Sequence, residues 1–322
     1  MASFRLKFES GLASRGIEVT HNPNAECDAI LVIAGTKDLL PLVRARARGV
    51  RIVQRLDGIN WIYRVRNTGL RHSLRAEYGN LVLSLIRSKI ATHILYQSEF
   101  CHQWWENWYG VPQKLYSIVH NGVDLDHYRP LPGNDPVSAP YRLLIVEGNL
   151  GGGYDQGLEN GIELAQRLNR DHRMEIELMV VGRISKEHRS SVVSRSRIPI
   201  LWAGEVPREK IPDIDRSAHL LFSADLNPAC PNSVIEALSC GLPVVSFDTG
   251  ALNELVLSGS GRVVPYGGDP WKLEKPDIPA LAEAAAEILR DQPRYRSAAR
   301  AHAEKALGLD QMLDGYLKAL LD

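Results

Sequence analysis

The stretch from Asn227 to Glu254 constrains this chain more than any other. Pro228 to Asn232 reads as a turn. Asn232 or Ser233 is placed to cap a helix that runs to about Cys240, where Gly241 ends it and Pro243 prevents its continuation. Val244 to Phe247 is then a short apolar strand, and Thr249-Gly250 opens the next loop. Turn, helix, turn, buried strand, turn is a unit of an α/β domain. The free N–H groups and positive dipole end of such a helix make an anion site suited to a diphosphate. Glu236 lies one turn in. A carboxylate there repels phosphates if it faces them, and serves better accepting hydrogen bonds from sugar hydroxyls.

The rest of the chain repeats this alternation. In the first half, strands are expected at Ala29–Ala34, Val50–Arg55, His93–Tyr96 and Ser117–His120, with helices at Leu39–Arg48, Asn80–Lys89 and Glu99–Tyr109. Leu131 to Pro140 is rich in Pro, Gly and Asn, lacks an apolar period and reads as a linker. A second series follows, with strands at Arg142–Val146, Glu175–Val181, Ile200–Trp202, Leu220–Ser223, Val244–Phe247 and Gly261–Val264. Its helices are Gly157–Asn169, Asn232–Cys240 and Ile278–Leu289, and a last helix, Leu309–Leu321, carries one apolar stripe. The expected fold is α/β, with two doubly wound Rossmann-like domains facing a cleft: residues 1–133, and residues 140–305.

Composition bounds the function. The 322 residues suffice for two domains, and 44% apolar with 24% charged residues is globular. No apolar run approaches the roughly 20 residues needed to cross a bilayer, and Met-Ala-Ser-Phe-Arg is no secretory signal. Cys27, Cys101, Cys230 and Cys240 are scattered without metal-ligand spacing, which points to free thiols in a reducing cytoplasm. The net charge is zero, yet Leu42 to Arg75 holds nine arginines against one acid, Asp57, with Trp61 and Tyr63 among them. That stretch suits an anionic membrane surface or a phosphate-bearing acceptor; the alternative is a solvated helix face whose acidic partners lie elsewhere in sequence. No nucleic-acid partner is expected.

The stretch from Glu236 to Glu254 resembles the donor-site signature of family-4 glycosyltransferases, which have the GT-B fold. Glu236-Ala237, Gly241, Pro243-Val244-Val245, Gly250 and Glu254 stand where that signature has its conserved types. Asn121-Gly122-Val123-Asp124, with Tyr128 and Pro130, resembles the family's motif near the end of its N-terminal domain. The resemblance covers roughly residues 90–322. It implies an acceptor-binding first domain, a nucleotide-sugar-binding second domain, and a final helix, residues 309–322, crossing back onto the first. Such proteins open with a strand and a Gly-rich loop, whereas this chain opens at what looks like the following helix, Ser3–Ser14, ended by Gly16. Either that strand is absent, or the start is misplaced or truncated.

The resemblance further implies retaining transfer from a nucleotide sugar, UDP- or GDP-linked, to a glycan or lipid-linked acceptor, with no bound metal or other cofactor. Gly148, Asn149, Gly151, Gly152 and Gly153 form a loop whose backbone can approach phosphates closely; its spacing fits neither the dinucleotide fingerprint nor a Walker motif. Where the family carries an arginine and a lysine, this loop has Asn149 and Gln156. The first glutamate of the family pair falls at Pro228, with Asp225 and Asn227 close enough to replace it. Arg183, just past a strand, is expected to contact the diphosphate or base, the alternative being a surface ion pair. Asp57 ends a strand as a candidate base, the alternative being an Asp-Gly turn. Asn232 and Ser233 hold the diphosphate, Glu236 the ribose, and Gly250, Ala251 and Glu254 border the sugar. The rival readings are a nucleotide-sugar epimerase and a non-catalytic sugar-binding module. The expected location is cytoplasmic, with peripheral association at the inner membrane face.

Overall fold

A computed structural model describes residues 2–322 apart from 23, 134–135, 137–138, 152–154 and 258. The chain forms two compact units: residues 1–122 with 307–322, and residues 123–306.

The first unit contains α1 (Ala2–Ser14), β1 (Ala29–Ile33), α2 (Leu40–Ala47), β2 (Arg51–Leu56), α3 (Leu70–Leu85), β3 (His93–Tyr96), α4 (Glu99–Tyr109) and β4 (Leu115–Ile118). Its four strands are parallel and lie in the order β1-β2-β3-β4. Near-continuous apolar runs such as Ala29-Ile-Leu-Val-Ile33 suit strands covered on both faces. Val32 and Ile52 meet Leu42, Ile86 and Ile90 on one face. Val53 and Leu95 meet Phe4, Phe8 and Leu12 on the other, together with Met312, Leu313 and Tyr316 of the last helix, Leu309–Leu321. Phe4, Phe8 and Tyr316 form a ring cluster with centroids 5.1–5.4 Å apart. The final helix therefore belongs to the first unit.

One helix of this unit departs from expectation and another follows it. α3 begins at Leu70, ten residues before the expected Asn80, after Gly69 in a left-handed conformation (φ 89°). A π turn, Ile86–Ile90, extends it. α4 starts as expected: the Ser98 side chain accepts from the Cys101 N–H at 3.0 Å. Trp104 and Trp105 of α4 are core residues.

The second unit contains β5 (Tyr141–Asn149), α5 (Asp155–Arg170), β6 (Ile176–Arg183), α6 (Lys186–Arg195), β7 (Ile200–Gly204), α7 (Ile211–Ser217), β8 (Leu220–Phe222), α8 (Asn232–Ser239), β9 (Val244–Phe247), α9 (Leu252–Leu255), β10 (Gly261–Val264), α10 (Ile278–Arg290) and α11 (Gln292–Ala306). Its six strands are parallel in the order β10-β9-β8-β5-β6-β7. The chain adds β6 and β7 on one side of β5, then returns to add β8, β9 and β10 on the other. The strand order reverses between β5 and β8, and in open parallel sheets the crevice beyond such a reversal is where ligands bind.

Residues 123–130 pack with this second unit, ahead of the Pro-rich segment. Tyr128 is buried, and Arg300 donates from Nη1 to its carbonyl at 2.8 Å. Arg216 donates to the carbonyl of Arg129 at 3.0 Å.

Candidate active site

β5 and β8 end side by side, and each carries an acid there. Glu147 lies near the end of β5 and Asp225 three residues past β8. The Glu147 carboxylate accepts a hydrogen bond from the Asp225 N–H. Burial raises Glu147 well above the usual carboxylate range, and the Asp225 charge raises it further. Burial also pushes Asp225 up to about 6, against the pull of the Leu226 N–H. Two carboxylates this close do not both ionise at little cost, so the pair shares a proton near neutral pH. Asp225 was expected at the site; Glu147 was not. Their pairing depends on strand order, which the local sequence does not carry.

The backbone around the pair is tightly fitted. At Gly182, near the end of β6 with φ 133°, a Cβ would lie 1.8 Å from the Glu147 carbonyl oxygen, so only glycine lets the strands approach this closely. Here β5 and β6 shift register between Val146 and Asn149. Asn149 shapes its own loop, its Oδ1 accepting from the Gly151 N–H at 3.3 Å. Gly148 and Asn149 are exposed. Gly152 and Gly153 lie outside the described residues. Arg183 follows as an exposed ion pair with Glu205 at 2.7 Å.

Across the strand reversal, two loops lock together. At Gly250 (φ 60°) a Cβ would meet Pro228 at 2.4 Å. The Ala251 N–H donates to the Pro228 carbonyl at 2.8 Å. Pro228 thus fills the place of the expected first glutamate with backbone packing. Beside it, Asn227 adopts a left-handed conformation (φ 55°) and is 4% exposed. Its Nδ2 has no hydrogen-bond partner, which leaves a buried donor at this loop for a hydroxyl or phosphate oxygen. Glu254 lies in α9, its N–H bonded to the Ala251 carbonyl at 3.0 Å.

α8 departs from expectation at its start. Its N-cap is Pro231, extended at φ −71° and ψ 120°, and no side chain caps it. Asn232 and Ser233 are already inside the first turn, where their side chains cannot play the capping role. Their N–H groups, like all in a first helical turn, have no helix carbonyl behind them. Glu236 sits one turn further on, 8% exposed. Its Oε1 is 3.9 Å from Nη2 of Arg208. Burial pushes Glu236 up to about 7, against Arg208, Tyr128 and His127, which favour its charged form. Behind it lies Asp215, 1% exposed, with Oδ2 unbonded. Burial and the Glu236 charge hold Asp215 well above the carboxylate range, favouring its neutral form against the pull of Arg216. Burial likewise raises Tyr128 and Cys240. Arg208 was missed from sequence; its position in the turn after β7, at the carboxyl ends of the strands, was the available signal.

Asp57, the other candidate acid, belongs to the first unit. It follows β2, and its carbonyl accepts from Trp105 Nε1 at 2.8 Å and Cys101 Sγ at 3.2 Å. The backbone there is anchored, as a structural turn requires, and its carboxylate is partly exposed.

Residues 142–291, which hold this constellation apart from His127 and Tyr128, match the model of the family described as glycosyl transferases group 1. A segment of the chain is 32% identical over 102 residues to the lipopolysaccharide core biosynthesis mannosyltransferase LpsB of Rhizobium meliloti, covering 31% of this chain and 26% of that protein. The chain thus spans about a quarter of that relative's length. Among solved structures it resembles WaaG, a glycosyltransferase involved in lipopolysaccharide biosynthesis, with a TM-score of 0.68 and 15% identity over 98% of this chain and 94% of that one. It also resembles HepE of Anabaena in complex with UDP-glucose, with a TM-score of 0.67 and 17% identity over 90% of this chain and 78% of that one. The chain has the GT-B fold.

Proposed function

We propose that this chain transfers a sugar from a nucleotide-sugar donor to a glycan or lipid-linked acceptor. The observation that carries this reading is Glu236, buried on α8 beside Arg208 within the region matched to group 1 glycosyltransferases. The bond from the anomeric carbon to the diphosphate breaks, a bond to an acceptor oxygen forms, and the acceptor hydroxyl proton leaves to a base. The protein's part is to hold the leaving diphosphate and the developing positive charge on the sugar.

In this reading Glu236 accepts from the ribose hydroxyls. The N–H groups of Asn232 and Ser233 face the diphosphate, with Arg208 and Arg183 supplying positive charge in place of a metal ion. Gly250, Ala251, Glu254 and the Asn227 amide border the transferred sugar. Asp225, sharing its proton with Glu147, adds little net negative charge opposite the diphosphate. The first unit takes the acceptor, with Asp57 as the candidate base. The LpsB and WaaG likenesses support a role in cell-surface glycoconjugate synthesis, and HepE's complex supports a UDP-linked donor. The family-4 resemblance supports retention of anomeric configuration and a cytoplasmic location.

A second reading is a sugar-nucleotide-binding protein without turnover. Asn149 and Gln156 favour it, since they put neutral amides where the family has cations; Gln156 instead donates to Asn160 Oδ1 at 3.0 Å. Thermal shifts with UDP-, GDP- and ADP-sugars, compared with Glu236→Ala, test the donor site. Stabilisation by one nucleotide class that is lost in the variant supports it, and no shift with any donor sinks it. Release of nucleoside diphosphate on adding an acceptor, or slowly to water, separates the enzyme from the binding protein.

A further inference from the structure

α3 turns an apolar stripe to solvent. Leu70 is 77% exposed, Leu74 63%, Tyr78 57%, Leu81 54% and Leu85 45%. At about 100° per residue these five fall within an arc of roughly 80°. The opposite side of the helix faces the unit, with Ala76 and Asn80 buried and Val82 and Leu83 half-buried towards its end, so its first turns put their bulk outward. A helix serving only its own core would have this pattern reversed. Next to the stripe stand the exposed Arg71 and Arg75. α2 repeats the theme, with Leu40 55% and Val43 49% exposed beside the exposed Arg44 and Arg48. α2 and the π turn that extends α3 share one face of the first sheet through Leu42, Ile86 and Ile90, so both stripes look out from the same side of the first unit. The sole acid in α3, Glu77, is neutralised by Arg64 at 3.2 Å.

We propose that α3, with α2 beside it, docks this protein on an anionic phospholipid surface. The leucines and Tyr78 enter the boundary between headgroups and acyl chains, and the arginines lie among the lipid phosphates. Not every arginine of the basic stretch takes part. Arg51 donates to the Ala319 carbonyl at 2.7 Å, and Arg55 is buried. A second copy of the chain would cover the same stripe, but it would set one arginine row near another with no acid between them. The surface lies wholly in the first unit and uses none of the donor-site residues, so it stands apart from the proposed chemistry.

The test is co-sedimentation of the full chain with vesicles of phosphatidylcholine and phosphatidylglycerol, against phosphatidylcholine alone. Binding to the mixed vesicles is expected, with little to the neutral ones. Leu74→Glu/Leu81→Glu should weaken it by about tenfold or more. Arg71→Gln/Arg75→Gln should weaken it on the order of fivefold per arginine, and added salt should mimic that loss. These side chains are exposed, so the melting temperature should hold; Leu70→Ser, at the helix start, serves if the double variant fails to fold. No pelleting with anionic vesicles overturns the proposal. So does unchanged binding in the folded leucine variants. A dimer that depends on the stripe, seen by sedimentation velocity without vesicle binding, would give the face to a second copy instead.

Discussion

Both units bury charge, but not in the same way. In the first unit the buried charges are arginines with partners. Arg55 donates to the Tyr316 hydroxyl at 2.8 Å and Asn121 Oδ1 at 3.0 Å, and its guanidinium lies 4.0 Å from the centre of the Phe4 ring. Arg87 donates to the Tyr96 hydroxyl at 2.8 Å and the Gly110 carbonyl at 2.9 Å. The second unit holds one buried arginine in the same way, Arg216 on the Arg129 carbonyl and Asp213, but it adds acids whose protonation has shifted instead: Glu147 and Asp225 at the strand reversal, Glu236 and Asp215 on neighbouring helices. A buried charge held by hydrogen bonds and an aromatic face is construction. A buried acid left to shift its protonation is a disadvantage to folding alone, which is why such groups mark sites. The contrast teaches where in this molecule structure gives way to chemistry.

The sharpest way to break the comparison is at Glu236. Glu236→Ala should lower turnover on the order of 100-fold, about 3 kcal/mol, by removing charged hydrogen bonds to the donor, as steady-state kinetics would show. Its stability should not fall in step. A carboxyl raised to about 7 in the folded state binds a proton more tightly folded than unfolded, so it lowers stability as pH rises from about 4.5 to 7, and the loss is complete above that. Glu236→Gln should therefore melt higher than the parent at pH 8 and about level with it near pH 4. A parent protein that melts higher at pH 8 would contradict the buried-acid account.

Arg55→Met probes the other side. It should destabilise by about 3 kcal/mol, since Tyr316 and Asn121 lose their partner, yet leave the donor-induced thermal shift intact once the protein is folded. Loss of that shift would mean the first unit's buried cation serves the donor after all. Asp225→Asn comes next. Asp225 is raised to about 6, so its disadvantage grows between about pH 4 and 6 and is full above that. The variant should gain about 1–2 kcal/mol at pH 8, read by denaturant midpoints, and no gain would dissolve the shared-proton pair. The smallest effect belongs to Arg183→Ala. An exposed ion pair contributes little, so the melting point should barely move. A several-fold rise in donor Kd is expected from the diphosphate role, and an unchanged Kd would leave only the pair with Glu205.

The fold was legible where apolar periods were large. Val244–Phe247 and Leu309–Leu321 read directly from runs of bulky residues. α11 did not, because its buried stripe is Tyr295, Ala299 and Ala303, too small to register as an apolar face. The first part of α3 was missed although Leu70, Leu74, Tyr78 and Leu81 keep a helical period, because no capping side chain marks its start after Gly69. The cap of α8 was misread because Asn232 and Ser233 are good capping types, while Pro231, with its fixed φ, enters the helix one residue earlier. Glu236 was legible because its role depends on a local helix. Glu147 and Arg208 were not, since nothing in either local sequence says which strand end lies alongside.

The contact between Gly250 and Pro228 has a practical consequence for anyone redesigning this protein. The loop after β8 and the loop after β9 are keyed to one another by a glycine that admits no side chain and a hydrogen bond from Ala251 to Pro228. Grafting one of them from another protein of this fold would carry half a lock, so both loops have to be moved in the same cut.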